Sequence, residues 1–269
     1  MVVSALKNLS AFKMKKFLII IFATAWLIAS CDSSPAGKTY LVATDATLVP
    51  MSFMSVSNDI TGFEPDLMRA VAKEAGINIR LVNVEWAGLF GGLITKKFDM
   101  VISSVTVLEE RRERMAFGDP YLKSGLALVI RKEQEGINSF ADAQKNNLLI
   151  GAQIGTTAYF FLEKDPAIRK KGYQMYGHAV SDLINGEIDA VLGESTGTLF
   201  YKNQHKPLFE KIKMVGEIMT NEHYAIVFHK DDKELLAKVN VALQNVLKNG
   251  TVARLHNKWD LGQAAQVPE

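Results

Sequence analysis

Residues 99–121 read DMVISSVTVLEERRERMAFGDPY, and no other stretch gathers as many groups able to grip a small anion. Met100, Val101 and Ile102 form a short apolar run of the kind that makes a strand buried on both faces. The run ends in Ser103, Ser104 and Thr106, and a charged segment then brings in Arg111. Ligands of open α/β sheets bind beyond the carboxyl ends of strands. Hydroxyls, backbone N–H groups and a guanidinium collected there suit a carboxylate, which a planar arginine fork matches bidentately. The competing reading is a strand followed by a solvated helix, EERRER, with Glu110 and Arg114 at i,i+4 spacing.

Residues further along the chain complete a set suited to a free α-amino acid. Gly155-Thr156-Thr157 joins an apolar strand to a helix, whose N-terminus offers unpaired N–H groups and partial positive charge. An ordinary N-cap is the alternative there. Glu194 follows the strand DAVL at its carboxyl end, where it pairs with an ammonium or stands in solvent. Asp45, just after the first strand, accepts hydrogen bonds from a polar side chain or makes a turn. Trp86 is either core packing or an apolar wall for a ligand. Gly193-Glu194-Ser195-Thr196-Gly197 fits G-x-S-x-G between strand and helix, as a nucleophile elbow should. Three fixed positions are a weak motif, and His223, His229 and His256 stand beside no other catalytic signal. The histidines form no metal-ligand pattern, no glycine-rich nucleotide loop is present, and neither a cofactor nor a metal is expected.

The elements needed to hold these residues are legible. Residues 38–262 alternate short apolar runs with amphipathic segments, the pattern of βα units and mostly parallel sheets. Strands are predicted at YLVAT (40–44), INIRLVNV, DMVIS, GLALVIRK (125–132), LLIGAQ, DAVL and HYAIVF (223–228). Helices are predicted from about Pro65 to Gly76, over Ala87–Thr95, after the Ser139 cap, from Thr156–Thr157 through YFFLEK, before Gly186, from about Lys233 to Lys248, and after Gly250 to about Trp259. About 225 residues exceed the usual single domain and suggest two lobes. No Ser/Gly-rich linker separates them, so the chain is expected to cross on extended strands near 123–130 and 220–228.

The beginning of the chain reads as a leader. Lys15 and Lys16 precede FLIIIFATAWLI, of signal-core length, and the run closes on Ile28-Ala29-Ser30-Cys31. This resembles the lipobox of bacterial lipoproteins, which implies cleavage before Cys31 and acylation of its thiol. Residues 1–13 are either an over-called start or a longer n-region. Asp32 after the cysteine resembles the inner-membrane retention signal of Gram-negative lipoproteins, and in a Gram-positive cell the anchor would hold the protein on the outer face of the membrane. Residues 32–37 are small and polar, a tether. Cys31 is the only cysteine, so the mature domain has no disulfide. The full chain carries +2, and residues 1–30 hold four lysines and no acid, leaving −2 after cleavage. A near-neutral domain without a basic stripe argues against nucleic-acid binding.

In sequence, LVATD…P, GFEPDLM, W–GLITKKFD, SSVTVLEER, FGDPYLKSG, GTT, LINGEIDAVL and YAIVFHKDD resemble the polar-amino-acid-binding proteins of ABC importers, family 3 of the extracellular solute-binding proteins. The similarity spans nearly all of 38–262. It implies a type II periplasmic-binding-protein fold, two α/β lobes joined by two crossover strands around a ligand cleft. Lobe one would be 38–123 plus 224–262, and lobe two 124–223. Carried over by position, Arg111 clamps the α-carboxylate, Thr106 contacts the carboxylate or ammonium, Ser104 contributes mainly backbone, and Ser103 lies toward the side chain. Thr157 with the backbone of Thr156 donates to the carboxylate from lobe two. Glu194 holds the ammonium, Asp45 selects the side chain, and Trp86 is the stacking wall. Three departures bear on specificity: Glu194 stands where aspartate is usual, Leu48 where an aromatic often forms the opposite wall, and Ala158 where some relatives are polar. The expected partners are a polar amino acid (arginine first, then glutamine, lysine or histidine), a membrane permease, and the bilayer through Cys31, with the receptor a monomer. The rival readings are an enzyme on the same fold, akin to cyclohexadienyl dehydratase, and a sensory receptor.

Overall fold

The alternation of apolar and amphipathic segments becomes two five-stranded mixed sheets with helices on their faces and a small three-stranded sheet. The computed structural model describes residues 37–197, 210–262 and 265–268. The leader and Cys31 lie outside the described residues. The chain runs through β1 (Thr39–Thr44), a small antiparallel ribbon of β2 (Thr47–Leu48), β3 (Ser52–Met54) and β4 (Ile60–Thr61), then α1 (Phe63–Ala75) and β5 (Asn78–Asn83). It continues through α2 (Trp86–Ile94), β6 (Met100–Val101), the single turn α3 (Glu109–Arg112) and the long β7 (Met115–Ser124). There follow β8 (Leu126–Arg131), α4 (Phe140–Lys145), β9 (Ile150–Gln153), α5 (Thr157–Glu163), β10 (Lys170–Tyr173), α6 (Tyr176–Asn185), β11 (Ala190–Glu194) and β12 (Ile212–Val215). The chain returns as β13 (Glu222–His229), α7 (Lys233–Lys248) and α8 (Thr251–Lys258).

The first sheet has strand order β5-β1-β6-β13-β7 and the second β10-β9-β11-β8-β12. β1 is parallel to β5 and β6, and β9 is parallel to β10 and β11. The chain passes between sheets at Gly125, where β7 gives way to β8, and again between β12 and β13. Glu222 pairs with Ser124, so the two crossings run side by side as an antiparallel pair.

Apolar clusters cover both faces of each sheet. Val42, Met100 and Phe228 pack with Leu67 and Val71 of α1 and Val239 and Leu243 of α7 on one face of the first sheet. Leu89 and Leu93 of α2 pack with Val101, Val105 and Phe117 on the other. Clusters around Leu128 and Leu192, and around Val191 and Leu183, do the same for the second sheet. Full burial of each such side chain contributes about 1.5–3 kcal/mol, and with no cysteine after residue 31 the folded unit depends on these clusters.

The predicted α7 matches residue for residue. The third strand is shorter than DMVIS, covering only Met100–Val101, because the chain turns at Ser103 and Ser104 toward the far ends of the strands. α1 starts at Phe63, two residues before the proline that suggested its start. Gly62 sets this: its φ is +131°, and a Cβ there would lie 2.5 Å from the Met51 carbonyl oxygen. The closeness lets the Phe63 and Glu64 N–H groups donate to the Pro50 and Met51 carbonyls at 3.0 and 2.9 Å. Those bonds satisfy first-turn donors that the helix itself cannot.

Candidate functional site

The carboxyl ends of the parallel strands of both sheets converge, as expected where ligands bind in such sheets. Asp45 follows β1, Ser103 to Thr106 follow β6, Thr156 and Thr157 follow β9, and Glu194 is the last residue of β11. Asp45, Leu48, Trp86, Ser103, Ser104, Thr106, Arg111, Thr156, Thr157 and Glu194 all line one small cavity of about 50 Å³, together with Thr47, Gln153 and Tyr176. Trp86, Thr106, Arg111 and Thr157 also line an adjoining cavity of about 1000 Å³ walled by Phe90, Phe160 and Glu222.

Arg111 is the one inward member of its charged turn, 8 % exposed, while Glu109, Glu110, Arg112, Glu113 and Arg114 are all exposed. Its Nη1 donates to the Thr106 carbonyl at 2.9 Å and its Nη2 to the Gly155 carbonyl at 3.1 Å, which joins the two sheets' loops. The guanidinium carbon stands 5.7 Å from the Trp86 ring centre and 5.0 Å from that of Phe90. Burial lowers its pKa to about 10, so it stays a cation at neutral pH. Of five guanidinium N–H donors, two are used by these carbonyls and the rest remain for an incoming acceptor. Gly155 has φ +78°, and a Cβ there would lie 3.2 Å from Trp86 Nε1, so glycine permits the close approach of this loop to Trp86.

The Asp45 carboxylate is held locally. Its Oδ1 accepts from Thr47 Oγ1 at 2.7 Å and its Oδ2 from the first N–H of α2, that of Trp86, at 2.9 Å. This anchors the indole that walls the cavity, and Asp45 N–H in turn donates to Ser103 Oγ at 3.0 Å. Burial raises the Asp45 pKa while both donors oppose the rise. Ser104 has φ +47°, a left-handed backbone, and its N–H and Oγ donate to Glu64 Oε1 at 2.5 and 3.0 Å. The donors of Ser104 thus serve the buried Glu64 rather than the cavity.

The threonine hydroxyls bond to acids. Thr106 Oγ1 donates to Glu222 Oε2 at 2.7 Å, and Thr157 Oγ1 lies 2.8 Å from Glu194 Oε1 and 2.9 Å from Glu222 Oε2. Tyr224 O–H donates to Glu194 Oε2 at 2.7 Å. A hydroxyl whose proton is engaged by a carboxylate turns its lone pairs outward, which suits an ammonium better than a carboxylate. Burial, and then the like charge of Glu222, push the Glu194 carboxyl up to about 8.

Two residues of this network escaped the sequence reading. Glu64, 1 % exposed, looks in sequence like an ordinary acid in a helix's first turn, where the helix dipole favours one. Glu222 looks like a solvated residue before a strand, and nothing local marks it. The G-x-S-x-G segment is a packing motif. A Cβ on Gly193 would lie 2.2 Å from the Tyr176 ring, and one on Gly197 3.0 Å from it. Ser195 between them is wholly buried, its Oγ 3.2 Å from that of Ser124. Among the described residues no group of His, Cys, Asp and Glu is placed to hold a metal ion.

The family model of the bacterial extracellular solute-binding proteins, family 3, matches residues 40–263. The L-cystine-binding protein TcyJ of Escherichia coli K12 is 29 % identical over 222 residues, 82 % of each chain. The putative ABC transporter arginine-binding protein 2 of the same strain is 31 % identical over 253 residues, covering 91 % of this chain and 99 % of that one. Among solved structures, an ancestral arginine-binding protein bound to arginine superposes with a TM-score of 0.77 at 32 % identity, covering 83 % of this chain and 99 % of that chain.

Proposed function

Because the chain belongs to the bacterial extracellular solute-binding proteins of family 3 and has their type II periplasmic-binding-protein fold, we propose that it is the lipid-anchored receptor of an ABC importer for a polar L-amino acid. The observation that carries this reading is the convergence of ten separated residues on one cavity, with Arg111 spanning its two walls. Arg111 offers its free N–H groups to the α-carboxylate. Glu194 and the outward lone pairs of Thr106 and Thr157 take the α-ammonium. Asp45 and Trp86 meet the side chain, Leu48 faces them, and the backbone of Thr156 closes the carboxylate end.

Charge favours a cationic side chain. Three acids, Asp45, Glu194 and Glu222, stand around Arg111, the one buried arginine of the two cavities, while Arg112, Arg114 and Lys164 line only the larger one and from exposed positions. Arginine, with one carboxylate and two cations, complements that set and stacks its guanidinium on Trp86. Glutamine, lysine and histidine follow, each satisfying part of it.

A cavity of about 50 Å³ is well below the several hundred of a typical ligand pocket, so entry requires the two lobes, taken as 38–123 plus 224–262 and 124–223, to part. Lobe one captures the ligand through Arg111, Thr106 and Trp86. Closure about the paired crossings adds Thr157 and Glu194, and the ligand shifts the equilibrium because only the closed form makes both sets of contacts. That form is what the permease would recognise.

A thermal-shift panel of the standard L-amino acids tests the reading. At a thousandfold excess over Kd a ligand stabilises by about 4 kcal/mol, or roughly 8–16 °C for a domain of this size. Arginine is expected to give the largest shift, and stabilisation by aliphatic or acidic amino acids alone would remove the cationic assignment. The anchor is tested in the native host. Cys31→Ala is expected to move the protein from the membrane fraction to the soluble one, and unchanged fractionation would refute lipidation at that residue.

A further inference from the structure

The crossing strand β13 brings a second acid to the site. Glu222 is 8 % exposed and takes hydroxyl contacts from three segments: Thr106 at 2.7 Å, Thr157 at 2.9 Å and Thr220 at 2.8 Å. Thr157 Oγ1 also lies 2.8 Å from Glu194 Oε1. Proton counting makes this arrangement informative, since a threonine hydroxyl carries one hydrogen. Thr220 Oγ1 accepts the Leu126 N–H at 2.9 Å, so its own hydrogen goes to Glu222. Thr157 can give its hydrogen to only one of the two glutamates. The other faces its oxygen lone pair to lone pair unless that carboxyl itself holds a proton and donates it.

We propose that Glu222 is a second acid of the ammonium subsite, that it and Glu194 hold one proton between them through the Thr157 hydroxyl, and that the ligand's α-ammonium replaces this proton. The proposal rests on the amino-acid-receptor reading above. In the exchange the ammonium keeps its three hydrogens and donates them toward the carboxylates and hydroxyls. The displaced proton leaves to solvent, so a cation enters as a proton departs and the buried charge changes little. The ionisation of Glu194 agrees with this: raised to about 8 by burial and then by Glu222, its carboxyl is mostly protonated at neutral pH. An opposite charge placed beside a carboxyl lowers its pKa by about 1–3 units.

Other charged and titratable groups face the pair from several elements. Arg111 from α3 faces both glutamates and opposes the rise of Glu194. Tyr224 from β13 donates to Glu194, while Asp45, just after β1, and Tyr176 of α6 line the same cavity. Glu110, Arg112, Arg114, Lys164 and His223 line the larger cavity on the Glu222 side. Asp45 accepts two fixed hydrogen bonds, and Arg111 and Tyr224 stay protonated across the neutral range.

Titration calorimetry at pH 7.0 in buffers of different ionisation enthalpy counts the protons, with L-arginine as first probe and the other standard L-amino acids after it. We expect about half to one proton released per ligand bound, and an affinity that rises from pH 6 to 8, by at most tenfold per unit, then levels. Glu222→Gln removes the like charge, and its amide can donate to Thr157, freeing the Thr157 hydrogen for Glu194. Its release at pH 7.0 is expected to drop below half the wild-type value. Binding without proton release in the wild-type protein overturns the exchange whatever the variant does. An unchanged count in a folded Glu222→Gln protein overturns the assignment to this pair, even where affinity drops, since a merely structural role moves affinity but not the count. No heat with any amino acid overturns the receptor reading and the exchange together.

Discussion

Arg111→Ala is expected to weaken amino-acid binding by two to four decades while leaving the ligand-free fold intact. The carboxylate of a bound amino acid would lose its only cation at a site that is nearly closed to water. Removing one partner of a buried ion pair costs about 3–5 kcal/mol, and each decade of affinity is about 1.4 kcal/mol. The expectation depends on the position of Arg111: the arginines at 112 and 114 are exposed and line the larger cavity but not the small one, so they do not take its place. Arg111→Lys is expected to recover at most about a decade, since an ammonium keeps the charge but loses the planar fork that reaches Thr106, Gly155 and a carboxylate together. Calorimetry with L-arginine, alongside circular dichroism of the free proteins, measures this. A loss of less than tenfold in a folded Arg111→Ala protein would sink the carboxylate role.

Glu64→Ala should be the most damaging single change to stability outside the apolar clusters. Glu64 Oε1 accepts from the Ser104 N–H, Ser104 Oγ and the Tyr121 hydroxyl, all buried. Each buried donor left unsatisfied costs about 1–3 kcal/mol, so a total of about 3–5 kcal/mol is expected after relaxation. For a domain of this size that lowers Tm by roughly 6–20 °C. Burial raises the Glu64 carboxyl above its ordinary range, so glutamine is the nearest neutral isostere. It keeps one acceptor oxygen but puts an amide donor where Oε2 has no hydrogen-bond partner, and Glu64→Gln should fall between the wild type and alanine. Binding should suffer in Glu64→Ala as well. Ser104 holds a left-handed conformation uncommon outside glycine, and these bonds fix it where the chain enters the cavity. A Tm within 2 °C of wild type would show that Ser104 and Tyr121 find other partners.

How much of this was legible in sequence depends on how local each signal is. α7 was readable to the residue because Leu235, Val239, Ala242, Leu243 and Val246 recur on one helical face. Gly76 and Gly186 both adopt the left-handed cap that ends α1 and α6. The ribbon of β2, β3 and β4 was not readable, since segments of two or three residues carry no usable period. Ser103, Ser104 and Thr106 were picked out by their place beyond a strand, but not the direction of their hydrogens. Those directions depend on Glu64 and Glu222, which lie 40 and 116 residues away in the chain from Ser104 and Thr106.

The sequence by itself marked α1, α2 and α4 to α8 and the strands β1, β5, β6, β8, β9, β11 and β13, because apolar periodicity, caps and glycine stops act over a few residues, but it did not mark β7, β10 or β12. It also singled out Thr157 and Glu194, because each stands where a strand hands over to a loop or helix, and Arg111, because the charged segment after Ser103 to Thr106 brings a guanidinium beside them. Tertiary structure alone decided that these candidates face one cavity, since only the convergence of two sheets' carboxyl edges brings residues 45, 111 and 194 together. It alone decided that Arg111 turns inward from a segment whose other charges are solvated. It alone decided that Glu222 and Glu194 both reach the Thr157 hydroxyl, because hydrogen bonds act over about 3 Å of space. That distance carries no trace in the spacing of residues along the chain.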